Sequence, residues 1–195
     1  MNRLLLCITL VLIVTVANAQ LEKGVWMIGG SGSFYSYQGD FIVNSSVQFS
    51  AKYIESDLSV SIGYFFVDKL SVGLRPCFNS FQVKGGGLNS VQSQFAIGPF
   101  ARYYFLDQNK QFNILTDISY QTGLNKENLT NRTDAKGKYN IFSVSAGTEL
   151  FLNSTIGIEI LMGYKNQIES IDNGPDKYYS NTKGFQTSIG FQLHL

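Results

Sequence analysis

The run Asp57-Leu58-Ser59-Val60-Ser61-Ile62-Gly63-Tyr64-Phe65-Phe66-Val67-Asp68-Lys69-Leu70-Ser71-Val72-Gly73-Leu74 alternates greasy and small polar residues on both sides of Asp68-Lys69. A strand sends successive side chains to opposite faces, so each half of the run has one apolar and one polar face. The two charged residues interrupt the alternation as a tight turn does. The run therefore reads as a β-hairpin whose strands are greasy on one side only.

Working outward, the same period of two recurs until eight segments are counted, and no helical periodicity intervenes. Their apolar positions run over Trp26 to Phe34, Leu58 to Phe66, Leu70 to Phe78, Phe95 to Phe105, Phe112 to Tyr120, Phe142 to Leu150, Ile156 to Tyr164 and Phe185 to Leu195. Short links fall at Asp68-Lys69, Asp107 to Lys110 and Asn153-Ser154. Long polar links span Gln38 to Lys52, Gly123 to Gly137 and Asn166 to Thr182, with Gly85-Gly86-Gly87 between the two classes. Eight antiparallel strands with short turns at one end and longer loops at the other describe an all-β, up-and-down transmembrane β-barrel. Closure also removes the edges that an open sheet would expose.

The chain has 195 residues, of which 15% are charged and 44% hydrophobic, with 19 glycines. Soluble domains carry roughly 25% charged residues, so the deficit argues against a highly charged surface. Fifteen Lys and Arg face 14 Asp and Glu. The balance implies no nucleic-acid partner. Residues 1–19 read as a signal peptide, with Arg3, an apolar run from Leu4 to Val16 and the small-x-small site Ala17-Asn18-Ala19. The barrel domain is then 20–195, and its balance is 14 against 14. Cys77 is its only cysteine, so no internal disulfide is expected.

Alternation alone leaves open whether the greasy face meets lipid or a core, and a secreted lipocalin-like carrier, with Gly24-Val25-Trp26 as its first-strand motif, is the soluble alternative. The polar face weighs against it. It carries Ser59, Ser61, Gly63, Ser71, Gly73, Ser119, Ser143, Gly147 and Gly163, which suit a crowded lumen better than a solvated exterior. Strands of about 11 residues, tilted by about 40°, would give a greasy band about 25 to 28 Å tall. Asp57, Arg75, Arg102, Asp117, Glu149 and Glu159 all share the parity of the polar face. Aromatics gather at the ends of the greasy face: Phe66, Tyr103, Phe105 and Phe112 beside the short turns, and Phe34, Phe78, Tyr120, Tyr164 and Phe185 toward the loops. These are the expected interfacial girdles.

Ser61-Ile62-Gly63-Tyr64-Phe65-Phe66-Val67-Asp68-Lys69-Leu70, Gly98-Pro99-Phe100-Ala101-Arg102-Tyr103-Tyr104-Phe105 and Gly147-Thr148-Glu149-Leu150-Phe151-Leu152 resemble the outer-membrane β-barrel ("porin family") proteins of Bacteroidetes-type Gram-negative bacteria. The resemblance covers the whole of 20–195. It implies residence in the cell outer membrane, and recognition of the final strand, Phe185 to Leu195, by the barrel-assembly machinery. It implies little about activity.

An eight-stranded barrel is just wide enough for side chains to fill, so a polar, plugged lumen is expected. Arg75, Arg102, Asp117, Glu149 and Glu159 should form an ion network there, with Arg102 and Asp117 paired across the Asp107 to Lys110 turn and Glu149 nearer the periplasmic mouth. Pro76 and Pro99 should lie opposite each other in a shared bulge of the third and fourth strands. Gly29-Gly30-Ser31-Gly32 reads as backbone crowding, since no helix follows to make a phosphate site. His194 is the sole histidine, and with Ser188 and Glu149 it specifies no catalytic constellation; no enzyme activity, cofactor or metal is expected. Tyr35, Tyr37, Tyr53, Tyr139, Tyr178 and Tyr179 in the loops suit an extracellular glycan or protein ligand. The expectation is a monomer in outer-membrane lipid with a structural or adhesin-like surface role. A narrow channel or small-solute transporter, and a secreted lipocalin-like carrier, are the alternatives.

Overall fold

The computed structural model describes residues 20–43, 46–85, 88–108, 110–129, 135–173 and 176–195. Residues 1–19, read as the signal peptide, lie outside the described residues. Eight strands follow one another: β1 Trp26–Val43, β2 Ser46–Val67, β3 Leu70–Gly85, β4 Leu88–Tyr104, β5 Phe112–Leu129, β6 Ala135–Phe151, β7 Ile156–Asn173 and β8 Asp176–His194. Each pairs antiparallel with its sequence neighbours, and β1 pairs with β8 to close the barrel. The architecture is the all-β antiparallel barrel that the alternation specifies.

Sidedness follows the parity of the residues. Leu58, Ile62, Leu74, Ile97, Ile118, Val144 and Ile160 are exposed on the outer wall, while Ser61, Ser71, Ser119, Gln121 and Ser145 are buried inside. A soluble carrier would show the reverse, an apolar interior beneath a polar wall. All nine girdle aromatics, Phe34, Phe66, Phe78, Tyr103, Phe105, Phe112, Tyr120, Tyr164 and Phe185, lie exposed on the exterior. Several meet edge-on, as Tyr103 and Phe105 do at 5.1 Å and Tyr164 and Phe185 at 6.0 Å.

Two expectations about the backbone are corrected. The polar stretches read as long connections are largely continuations of the hairpins, so β1 runs to Val43, β5 to Leu129 and β7 to Asn173. Hydrogen-bonded ladders persist there, but the regular alternation of apolar and polar residues that marks a half-buried strand is lost, as in Gln38-Gly39-Asp40-Phe41-Ile42-Val43. Pro76 and Pro99 are not opposite each other either. Pro76 faces Ile97 and Pro99 faces Leu74, within an unbroken β3–β4 ladder. The interruptions lie on the other flanks. β2–β3 pairing stops at Ser59↔Cys77 and resumes at Ile62↔Leu74, and β4–β5 pairing stops at Ile97↔Thr122 and resumes at Phe100↔Ser119. A strand directs alternate N–H groups to alternate neighbours, so each proline withholds its donor from the strand outside the shared pair.

The closing seam is short. β1 and β8 pair from Met27↔His194 to Ser31↔Gly190, and reciprocal bonds of 2.9 and 2.8 Å between Trp26 and Leu195 extend the closure by one step. Beyond Ser31 the two strands part, although β1 stays paired to β2 as far as Val43 and β8 to β7 as far as Asp176. At the closed part the backbones crowd: a Cβ on Gly29 would lie 2.0 Å from Gln192 Oε1 and 2.2 Å from the Phe191 carbonyl. That is why Gly stands there.

Candidate functional site: a floored polar lumen

At the short-turn end the interior is apolar, which parity had assigned to the polar face. Met27, Phe65, Phe100, Tyr104, Leu115, Phe151 and Leu161 pack into one buried cluster, and Leu21 from the segment before β1 is fully buried among them. That segment is tied across the mouth. Lys69 N–H donates to the Leu21 carbonyl at 2.7 Å, Gly24 N–H to the Phe65 carbonyl at 2.9 Å, and the Gln20 side-chain amide to the Asn153 carbonyl. Together they form a floor. The signal was present in the sequence as bulky residues at inward positions close to the turns, such as Phe65, Tyr104 and Phe151.

Glu149 and His194 are set into this floor. His194 Nε2 lies 2.8 Å from Glu149 Oε1, and the Tyr104 hydroxyl donates to Glu149 Oε2 at 2.6 Å. The rings of Phe65, Tyr104 and Phe151 surround the imidazole at 5.5 to 6.3 Å. His194 thus serves as a buried partner of Glu149, and its Nδ1 has no partner among the described residues.

Above the floor the other four ion-network residues meet. Arg102 and Asp117 are cross-strand partners with Nε 3.0 Å from Oδ2, and Arg102 Nη1 donates to Glu159 Oε2 at 2.6 Å. Arg75 reaches the same Asp117 with two parallel bonds of 2.7 and 2.8 Å. It also donates to Ser61 Oγ at 2.8 Å and stacks 4.5 Å above the Phe100 ring. Two guanidinium groups and two carboxylates therefore neutralise one another across the lumen, each carboxylate held by charge-assisted hydrogen bonds. Such a bridge crosses the lumen from β3 to β7.

The outer half of the lumen departs from the expectation of a fully packed interior. It holds a cavity of about 710 Å³, floored by Arg75, Arg102, Asp117 and Glu159 and walled by serines, amides and a few aromatics. Gln92 and Gln94 donate to Glu169 Oε1 at 2.6 and 3.1 Å, and Asn125 donates to the same carboxylate. Asp57 accepts from Ser33 at 3.0 Å and from Asn79. Periodicity alone could not find this amide cluster, because its members look like ordinary loop polarity. Cys77 lines the same cavity, 3.5 Å from Ser59 Oγ.

The loop tyrosines divide. Tyr37 and Tyr53 stack at 4.9 Å, and Tyr35 and Tyr179 are exposed. Tyr139 instead points inward, buried where it lines the cavity, and donates to Gln167 Oε1 at 3.0 Å, so it offers no outer contact surface. The side chain of Tyr178 lies outside the described residues.

No family model and no curated protein matches the chain. Among solved structures it is similar to the outer membrane protein OprG from Pseudomonas aeruginosa, with a TM-score of 0.52 and 18% identity over 89% of this chain and 97% of that one. The N-terminal β-barrel domain of Pseudomonas aeruginosa OprF aligns with a TM-score of 0.49 and 10% identity, covering 89% and 98%. The E. coli outer membrane protein W aligns with a TM-score of 0.42 and 15% identity, covering 87% and 98%. The likeness to OprG concerns the fold, and the chain has the eight-stranded antiparallel barrel fold of outer-membrane proteins.

Proposed function

We propose that the chain is an integral protein of a Gram-negative outer membrane that offers a blind polar vestibule to the outside, with a surface-interaction role. The short turns and Gln20 to Val25 then lie in the periplasm, and the long hairpins project outward. The carrying observation is the closed lower lumen: Leu21 and its apolar neighbours seal the mouth, and the Arg75, Arg102, Asp117 and Glu159 bridge spans the axis above it. A lumen stopped at one end and open at the other favours capture of a ligand over diffusion through the wall. The stacked Tyr37–Tyr53 pair, with Tyr37 exposed, and the exposed Tyr179 add an adhesin-like rim.

Cys77 provides a native probe. In whole cells, a membrane-impermeant maleimide should label Cys77 from outside, and the protein should fractionate with the outer membrane and show heat-modifiable gel mobility. Recovery as a soluble monomer would refute the membrane reading. Labelling only after the outer membrane is permeabilised would refute the outward vestibule.

A further inference from the structure

The parted seam between β1 and β8 lies beside that vestibule and within the greasy band. Pairing ends at Ser31↔Gly190, yet the apolar exterior continues to Phe34 on β1 and to Ile189 and Phe185 on β8. Continuing the register, the slit runs roughly 10 to 15 Å along the strands before the band ends. Beyond Ser31↔Gly190 the N–H and C=O groups on these edges have no β1–β8 ladder partner, and hydrocarbon cannot satisfy them. The inner lips carry Ser33 and Ser188, which line the vestibule, and the outer lips carry Phe34 and Ile189.

Two charged groups flank the slit. Glu55, opposite Tyr35 on the β1 side, and Lys165, opposite Gly184 on the β8 side, both line the vestibule. Neither is hydrogen-bonded or ion-paired to a described residue, unlike Asp57, Asp117, Glu159 and Glu169, which are held by amides, hydroxyls or arginines.

We propose that the β1–β8 slit is a lateral binding site for a single-chain amphiphile with a small zwitterionic head. The head lies in the vestibule, its cationic group at Glu55 and its anionic group at Lys165. The chain passes between the strands into the bilayer. Polar atoms near the head satisfy the lips, and the alkyl chain continues the greasy wall past Phe34 and Ile189. This inference rests on the membrane reading above.

The test uses the full 20–195 chain, refolded and held in a neutral maltoside detergent, with lysophosphatidylethanolamine as probe and native mass spectrometry as readout. One molecule should be retained. Glycerophosphoethanolamine, the same head without a chain, should bind at least about tenfold more weakly, and Lys165→Ala and Glu55→Gln should each weaken the probe by about tenfold, as expected for loss of a charged hydrogen bond. In a Cys77→Ser background, Ser33→Cys with Ser188→Cys should lose the probe on oxidation and regain it on reduction. Gly184→Trp, opposite Lys165 at the far end of the slit, crowds the head position without a crosslink, since a Cβ there meets nothing within 4 Å. Heat-modifiable mobility establishes that each variant is folded. Equal retention by the oxidised, reduced and Gly184→Trp forms, or equal affinity for the chain-free head, overturns the lateral site. Failure of the wild-type chain to remain with dimyristoylphosphatidylglycerol vesicles after a carbonate wash overturns the membrane reading itself.

Discussion

Arg102 and Asp117 are direct cross-strand partners, with Nε 3.0 Å from Oδ2 and neither residue more than 2% exposed. The same guanidinium bonds Glu159, so one side chain neutralises carboxylates on two other strands. Arg102→Ala would strand Glu159 and leave Asp117 to Arg75 alone. We expect it to cost about 3–5 kcal/mol, as removal of one partner from a buried pair does. Arg102→Lys should recover only part of this, because a single ammonium lacks the planar fork that spans both acceptors. Urea unfolding in lipid vesicles, followed by heat-modifiable mobility, measures both. An unchanged midpoint for Arg102→Ala would show that the bridge contributes nothing to folding.

The outer wall makes a sharper contrast between neighbouring residues. Ile118 is exposed on the exterior, and Ser119 beside it is buried and hydrogen-bonded to Ser143 at 3.2 Å. Ile118→Arg should cost about 2–4 kcal/mol in a bilayer. Ser119→Ala should cost about 1 kcal/mol, the ordinary worth of one hydrogen bond. The same urea titration compares them, and a tolerated Ile118→Arg would argue that this wall does not meet lipid.

These contrasts show how far the sequence could be read. Strand count, sidedness and the Arg102–Asp117 pairing follow from a two-residue period, because register in a hairpin is set by its turn and its greasy face. The prolines misled because periodicity says which face Pro76 and Pro99 occupy, but not which neighbour loses a hydrogen bond. The floor was obscured because Phe65, Tyr104 and Phe151 break the polar pattern one at a time on separate strands. Only closure brings them together with Leu21. The slit beyond Ser31 depends on where two strands distant in sequence stop pairing, and no local pattern records that.

Leu21 tests the floor directly. It is fully buried among Met27, Phe65 and their neighbours, so Leu21→Ala should cost about 2–5 kcal/mol through lost burial and the cavity left behind. Leu21→Met, which roughly keeps the volume, should be near neutral. Thermal melts in detergent separate the two. If Leu21→Ala were neutral as well, the segment before β1 would not be part of the packed interior.

At the turns, Lys69 Nζ lies 2.9 Å from Asp107 Oδ1. The hydrogen bond and charge of Lys69 hold the Asp107 carboxyl below its ordinary value. A depressed folded-state value stabilises the fold above the ordinary carboxylate range, and that contribution disappears as pH falls through the folded value. Asp107→Asn should therefore lower the melting temperature slightly at neutral pH and converge with the wild type on acidification through about pH 4 to 3. Asp107 is exposed, so added salt should shrink the difference. Parallel melting curves at every pH would contradict the pairing.

Planar-bilayer recording with the full 20–195 chain decides whether the lumen is blind. With Leu21 and its neighbours sealing one end and Arg75, Arg102, Asp117 and Glu159 bridging the axis, the inserted barrel should show no stable unitary ion conductance. Steady, reproducible current steps from the wild-type protein would contradict the closed floor and make the chain a narrow channel.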